Sequence, residues 1–211
     1  MTVKNFRFVF AYFLLALASC ASVVAPRVNA DQDALRPGNY ALDKDHAALL
    51  FKVGHLGFSN YVGRFENFDV SLSFDENDPT TAQVDAIIDM TSLNVANPSF
   101  SKTLQGPNWF DAEQYPIARF RSTSIQVTGD NTGLLYGDFT MHGVTKPITM
   151  DVVFNGGGRD ILRGAYILGL SAKANIKRSD FGVSRFRPLV SDTVKIEIEA
   201  EFIRSADADQ S

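Results

Sequence analysis

The chain has 211 residues, a formal net charge of −4, 45% hydrophobic and 21% charged residues, which suits one globular domain with a sizeable core. An acidic balance argues against nucleic acid and against adhesion to anionic membranes through a basic patch, since both demand clustered Lys and Arg. The single cysteine, Cys20, excludes an internal disulfide and a cysteine-based zinc site.

The first thirty residues read as an export signal. Lys4 and Arg7 precede an uninterrupted apolar run from Phe8 to Ala18, too short to span a bilayer but suited to a signal core. Two processing routes compete. Pro26 followed by Val28-Asn29-Ala30 offers cleavage after residue 30. Leu17-Ala18-Ser19-Cys20 offers lipoprotein processing, with a signal of 1–19 and acylation of Cys20 as a lipid anchor. The apolar run continuing through Ala21–Ala25 counts against the second route. Cleavage after residue 30 removes Lys4, Arg7 and Arg27 with no acid, taking the net charge from −4 to −7. No later segment reaches membrane-span length, so the exported domain is expected to be soluble.

Residues 31–38 end in Pro37-Gly38 and read as a linker. From there to residue 204 the pattern is strand after strand. Leu49, Phe51 and Val53 share one parity, as do Phe68, Val70, Leu72 and Phe74, then Val84, Ala86, Ile88 and Met90. Phe65 and Phe68 cannot share a face of one regular strand, which predicts a β-bulge at Glu66-Asn67. Residues 98–115 depart from strand character and predict one or two short helices interrupted by Gly106-Pro107. Leu135, Phe139 and Met141 follow, then Ile148, Met150, Val152 and Phe154, then Leu168, Leu170, Ala172 and Ala174. The last strand is the clearest: Val194, Ile196, Ile198, Ala200 and Phe202 alternate with Lys195, Glu197, Glu199 and Glu201. Turns are expected at Asn77-Asp78-Pro79, Gly129–Gly133 and Asn155–Gly158, and residues 205–211 are expected to be a short disordered tail.

About eight strands with one-sided alternation predict an all-β, single antiparallel eight-stranded barrel over 39–204, with a two-sheet sandwich as the alternative. The 17 Phe against one Trp suit either an apolar cavity or a merely strand-rich chain. Chemistry is thin. His46, His55 and His142 lack metal-pair spacing, and there is no nucleophile elbow, phosphate loop or dinucleotide fingerprint. No metal, catalytic residue or cofactor is assigned. The charged loop of Arg178, Asp180, Arg185 and Arg187 reads as solvated or, through its arginines, as a rim able to hold a phosphate or quinone head group, because Arg binds phosphate bidentately.

Several stretches carry a family resemblance. Tyr40-Ala41-Leu42-Asp43 with His46 comes first, then Phe51–Ser59 with Val62-Gly63-Arg64-Phe65. Trp109-Phe110-Asp111, Tyr115-Pro116 and Phe120–Thr123 follow. Gly137–Pro147 is the most specific, and Ile176–Gly182 with Val190–Val194 completes the series. In order and together they resemble the YceI-like family of exported polyisoprenoid-binding proteins, with Trp109 and Phe139 replacing the family's usual Phe and Leu. The resemblance implies a lipocalin-like barrel with an elongated apolar pore, a polyprenyl or quinone-tailed ligand and a periplasmic address.

Parity then gives the expected cavity lining: Leu49, Phe51, Val53, Phe74, Ile88, Phe120, Phe139, Met141, Ile196 and Ile198. The expected function is non-enzymatic binding, transport or storage of a long-chain isoprenoid lipid, and a homodimer is compatible with it. The competing readings are a solid-core barrel serving protein interaction or stress response, and an enzyme acting on an isoprenoid, which would need polar groups inside the tube.

Overall fold

A computed structural model describes residue 28 and residues 35–75 and 77–205. The rest of the expected signal, with Cys20, and residues 206–211 of the expected tail lie outside the described residues. In chain order the strands are β1 (Gly38–His55), β2 (Ser59–Phe65), β3 (Phe68–Phe74), β4 (Gln83–Asp89) and β5 (Leu93–Asn94). After helix α1 (Pro98–Gln105) come β6 (Ile117–Gly129), β7 (Thr132–Met141), β8 (Val144–Asp160), β9 (Ala165–Lys177) and β10 (Val190–Arg204).

All pairings are antiparallel. Starting at β1, the wall runs through β3, β4, β6, β7, β8, β9 and β10 and returns to β1. That is a closed eight-stranded barrel, and the β1–β10 ladder from Tyr40↔Arg204 to His55↔Val190 removes the sandwich alternative. The far half of β1 also pairs with β2, which carries the short β5 on its outer side. We call the end holding the β1–β2 turn, the β7–β8 turn, α1 and residues 178–189 the upper end. The lower end holds the β6–β7 and β8–β9 turns and residues 75–82.

Two irregularities of β1 and β2 shape the wall. Between Leu42 and Ala47, five steps along β1 match two along β10. The odd excess flips the inward parity. Tyr40 and Leu42 belong to the lower core, whereas Leu49, Phe51 and Val53 face inward above. At Glu66-Asn67 the expected bulge is instead a break between strands. The Glu66 amide donates to the Ser92 carbonyl (3.2 Å), and the Asp89 amide donates to Asn67 (3.0 Å). The chain thereby passes from the upper to the lower half of β1, and Phe65 and Phe68 both reach the interior.

Asn155–Gly158, expected as a turn, are strand instead. These residues continue β8 through a register slip between Phe154 and Gly156. The run serves close packing, since a Cβ on Gly157 would lie 2.7 Å from Leu168 and 2.8 Å from Leu35. Leu35, within the expected linker, is buried in the lower core beside Tyr40 and Leu168.

Of the one or two helices expected over 98–115, one forms. Asn97 caps it by accepting from the Phe100 amide (3.1 Å), Pro98 occupies its first turn, and Gly106 ends it. Residues 111–115 make a turn, closed by the Tyr115 amide donating to the Asp111 carbonyl (2.8 Å). Leu104 packs with Leu93 and Val95 against Phe51, Phe65 and Trp109, covering the flank of the upper barrel.

Candidate functional site

The barrel is hollow. Its inward side chains surround one elongated cavity of about 680 Å³, within the size range of small-molecule sites. The wall along β10 alone extends from Val190 to Phe202, a run of about 40 Å at strand spacing.

All ten residues expected from parity stand in this wall. So do eleven of the thirteen Phe that follow residue 30. Of the other two, Phe181 is buried behind the wall, edge-on to Phe139 with centroids 5.3 Å apart. Phe58 is 88% exposed at the β1–β2 turn.

The rings lie along the wall because two glycines give way to them. A Cβ on Gly63 would sit 2.3 Å from the Phe51 ring, and one on Gly137 would sit 2.3 Å from the Phe120 ring. Each ring occupies the place a neighbouring side chain would take, the arrangement by which aromatics cover strand glycines. The lumen stays open in consequence.

Polar side chains are confined to the ends. Besides Tyr and Trp, the lining includes His55 and Arg178 above and Asp130, Asn131 and Thr132 below. Between them it is aliphatic and aromatic. No acid–base pair and no nucleophile faces the middle of the lumen among the described residues.

The three arginines of the upper loop have separate roles. Arg178 is 5% exposed and donates to three backbone carbonyls, of Ser191 (2.8 Å), Val183 (2.8 Å) and Val190 (2.9 Å). Burial lowers its pKa, partly offset by Asp192. It ties residues 183–191 to the barrel and stands in the wall, not on the rim. Arg187 pairs with Asp192 at 3.2 Å. Arg185 lies over the Phe186 ring, 4.9 Å from its centroid, without an ion-pair partner among the described residues.

The histidines do not converge. His55 is at the end of β1, and His142 in the β7–β8 turn lies tilted against Tyr115, with centroids 4.7 Å apart. His46 lies in the β1 irregularity, its Nδ1 2.9 Å from an Asp43 carboxylate oxygen. Asp43, His46 and Glu201 gather closely enough to suggest a cation site. Arg163 already lies among them, bonded to Asp43 and to Glu201 (2.8 Å) and 3.1 Å from His46. Its guanidinium also holds Asp160. The group is an ion-pair cluster that fastens the β8–β9 turn to β1 and β10.

Sequence reasoning left out of the lining strand residues such as Val70, Val84, Met150, Val152 and Phe154, and wall residues outside regular strands such as Leu35, Phe100, Trp109, Phe110 and Phe186. Trp109-Phe110 was visible as a motif, but loop residues carry no parity to orient them.

Fold and cavity together define a hollow antiparallel barrel of the ligand-holding kind, with an apolar lumen and polar ends. The chain belongs to the YceI-like family: the YceI-like domain matches residues 40–202. A UPF0312 protein from Pseudomonas savastanoi pv. phaseolicola is 34% identical over 168 residues, covering 79% of this chain and 86% of its own. The crystal structure of Burkholderia cenocepacia BcnA superposes with a TM-score of 0.69 at 23% identity, over 76% of this chain and 98% of that one. A polyisoprenoid binding domain from Saccharophagus degradans, implicated in plant cell wall breakdown, superposes with a TM-score of 0.61 at 15% identity, over 81% and 100% of the two chains.

Proposed function

We propose that the protein binds a long-chain apolar lipid, a polyisoprenoid or an isoprenoid quinone, and carries or stores it in the bacterial periplasm without catalysing a reaction. The carrying observation is the distribution of polarity: a lumen lined from end to end by apolar side chains, with polar groups only at its extremities. An enzyme would need acid–base or nucleophilic groups at a reacting atom, and among the described residues none faces the middle of the lumen. A solid-core barrel would leave no cavity of about 680 Å³. Membership of the YceI-like family and the fold shared with a polyisoprenoid binding domain support the same reading.

The energetics suit a carrier. Each methylene moved from water to an apolar site is worth about 0.8 kcal/mol. A forty-carbon chain would then gain roughly 30 kcal/mol, beyond any measured affinity. Such a lipid starts in a membrane, however, and the lumen only matches what the bilayer offers. Net transfer is close to balance, so the lipid can be released as well as taken up. The export signal expected in residues 1–30 supplies the address in this reading.

The test is native mass spectrometry of the protein purified from its own periplasm, followed by organic extraction. A near-stoichiometric long-chain isoprenoid would support the reading and name the ligand. A lipid-free mass that stays unchanged on adding a forty-carbon polyprenol would sink it. The same spectrum distinguishes a chain beginning at Asp31 from one beginning at acylated Cys20.

A further inference from the structure

We propose that the upper rim docks on a phospholipid bilayer, inserting the β1–β2 turn and the 182–189 loop, so that the lumen exchanges its occupant directly with the membrane. The proposal rests on the lipid-binding reading and adds where and against what the exchange occurs.

The rim carries a contiguous apolar patch. Leu56 and Phe58 stand on the β1–β2 turn, 46% and 88% exposed; Phe186 and Leu189 stand on the loop, 54% and 59% exposed. The two segments are joined: the Leu56 amide donates to the Leu189 carbonyl (2.9 Å), and His55 pairs with Val190. A contiguous exposed apolar patch is unusual on a soluble domain and marks an interaction surface. Phe58 sharpens the point. Among the barrel's phenylalanines it alone lines neither cavity nor core. The patch is also continuous with the lumen, because Phe186, Val190 and His55 belong to the cavity wall.

Charge selects the partner. Residues 54–60 and 182–190 contain no Asp or Glu in a chain with 24 acids, and they include Arg185 and Arg187. Among the described residues Arg185 has no carboxylate partner, and the nearby Asp192 is engaged by Ser179 and Arg187. The lower end carries Asp75, Asp78, Asp130 and Asp160, whereas at the upper loop Asp180 and Asp192 only flank the acid-free stretch. Apolar tips beside Arg185 match the boundary between phosphate head groups and acyl chains. The domain's overall negative charge opposes adhesion by charge alone; here insertion supplies the affinity and Arg185 orients the rim.

The experiment is flotation of the full exported protein with phosphatidylethanolamine–phosphatidylglycerol vesicles. Phe58→Ser with Leu189→Ser is compared with Ile161→Ser with Leu162→Ser, an exposed pair at the lower end. None of the four lines the cavity, so folding and lumen are preserved. The expected result is vesicle binding by the wild type, weakened about tenfold or more by the upper pair and unchanged by the lower pair. In parallel, a forty-carbon polyprenol is offered from detergent micelles and from the vesicles. The upper variant should load normally from micelles and at least about tenfold more slowly from vesicles. Uptake from micelles with no flotation, or flotation indifferent to the upper pair, overturns the docking alone. No uptake by the wild type from either source overturns the lipid-binding reading beneath it. A wild-type dimer that does not float and becomes monomeric in the upper variant assigns the patch to a second copy and overturns the bilayer.

Discussion

Phe51 lies across Gly63 on the neighbouring strand with no room for a methyl group between them, since a Cβ on the glycine would fall 2.3 Å from the ring. Val95 closes the other side at 2.8 Å. In Gly63→Ala the ring therefore has to swing toward the lumen. The folded variant is expected to bind a forty-carbon polyprenol about tenfold more weakly, and Phe51→Leu in the same chain should restore binding. Trp109, the single tryptophan, stands in the wall and reports occupancy by its fluorescence. Equal affinity in Gly63→Ala would show that the ring does not gate the lumen.

Phe51→Asp and Phe139→Asp place a carboxylate on an otherwise apolar wall. An unpaired charge there repels an apolar occupant and costs several kcal/mol to desolvate. Both variants are expected to lose polyprenol binding in the Trp109 titration, with circular dichroism establishing that they fold. Phe139→Leu, which keeps the apolar wall, should bind. Unchanged binding in a folded Asp variant would remove the lumen as the lipid site.

Arg163 fastens the lower end. Its guanidinium joins the buried Asp43 of β1, Asp160 beside its own turn and Glu201 of β10. Arg163→Ala leaves Asp43 buried with His46 as its remaining side-chain partner. A loss of about 2 kcal/mol is expected, seen as a fall in Tm of roughly 5 °C. Arg163→Lys keeps the charge but not the fork, so it should recover only part of that loss. A Tm unchanged in Arg163→Ala would make the cluster a surface decoration.

Asp89 gives the fold an acid limit. Its carboxylate accepts from the Thr91 hydroxyl (2.6 Å), the Thr91 amide (2.8 Å) and Asn67 (3.2 Å). The Thr91 hydroxyl bond leads in holding its pKa below the usual Asp value, against a smaller upward push from burial. A lowered folded-state pKa stabilises the protein in full above the unfolded value of about 3.9 and is lost as the pH falls through the folded one. The Tm gap between wild type and Asp89→Asn should therefore be constant from pH 6 to 8 and shrink below about pH 4. A gap that does not change on acidification would count against this account.

Where the wall is regular, the sequence was legible. From Val194 to Phe202 β10 separates apolar from charged residues at every step, and parity in β1, β3, β4, β6, β7 and β10 picked out ten residues that stand in the lumen wall. What escaped was whatever breaks period two or depends on distance along the chain. Three extra residues in β1 reverse its inward face between Leu42 and Ala47, and nothing local announces them. Gly156–Gly158 have the composition of a turn, but the close approach of Leu35 and Leu168 makes them strand. Arg163 meets Asp43 across 120 positions, and Arg178 finds its carbonyls only once residues 183–191 have closed over it. The upper loop's arginines were visible as a cluster; that one is internal, one paired and one stacked on a ring is a matter of tertiary packing alone.

A wall with polar groups only at its two extremities has no means of telling one methylene from the next. Whatever occupies the barrel is gauged by girth and overall length, while the positions of its branches and double bonds go unread. In the proposed carrier role cargo would be sorted as by a sleeve: chains of similar span would compete on equal footing, with identity checked only where they protrude.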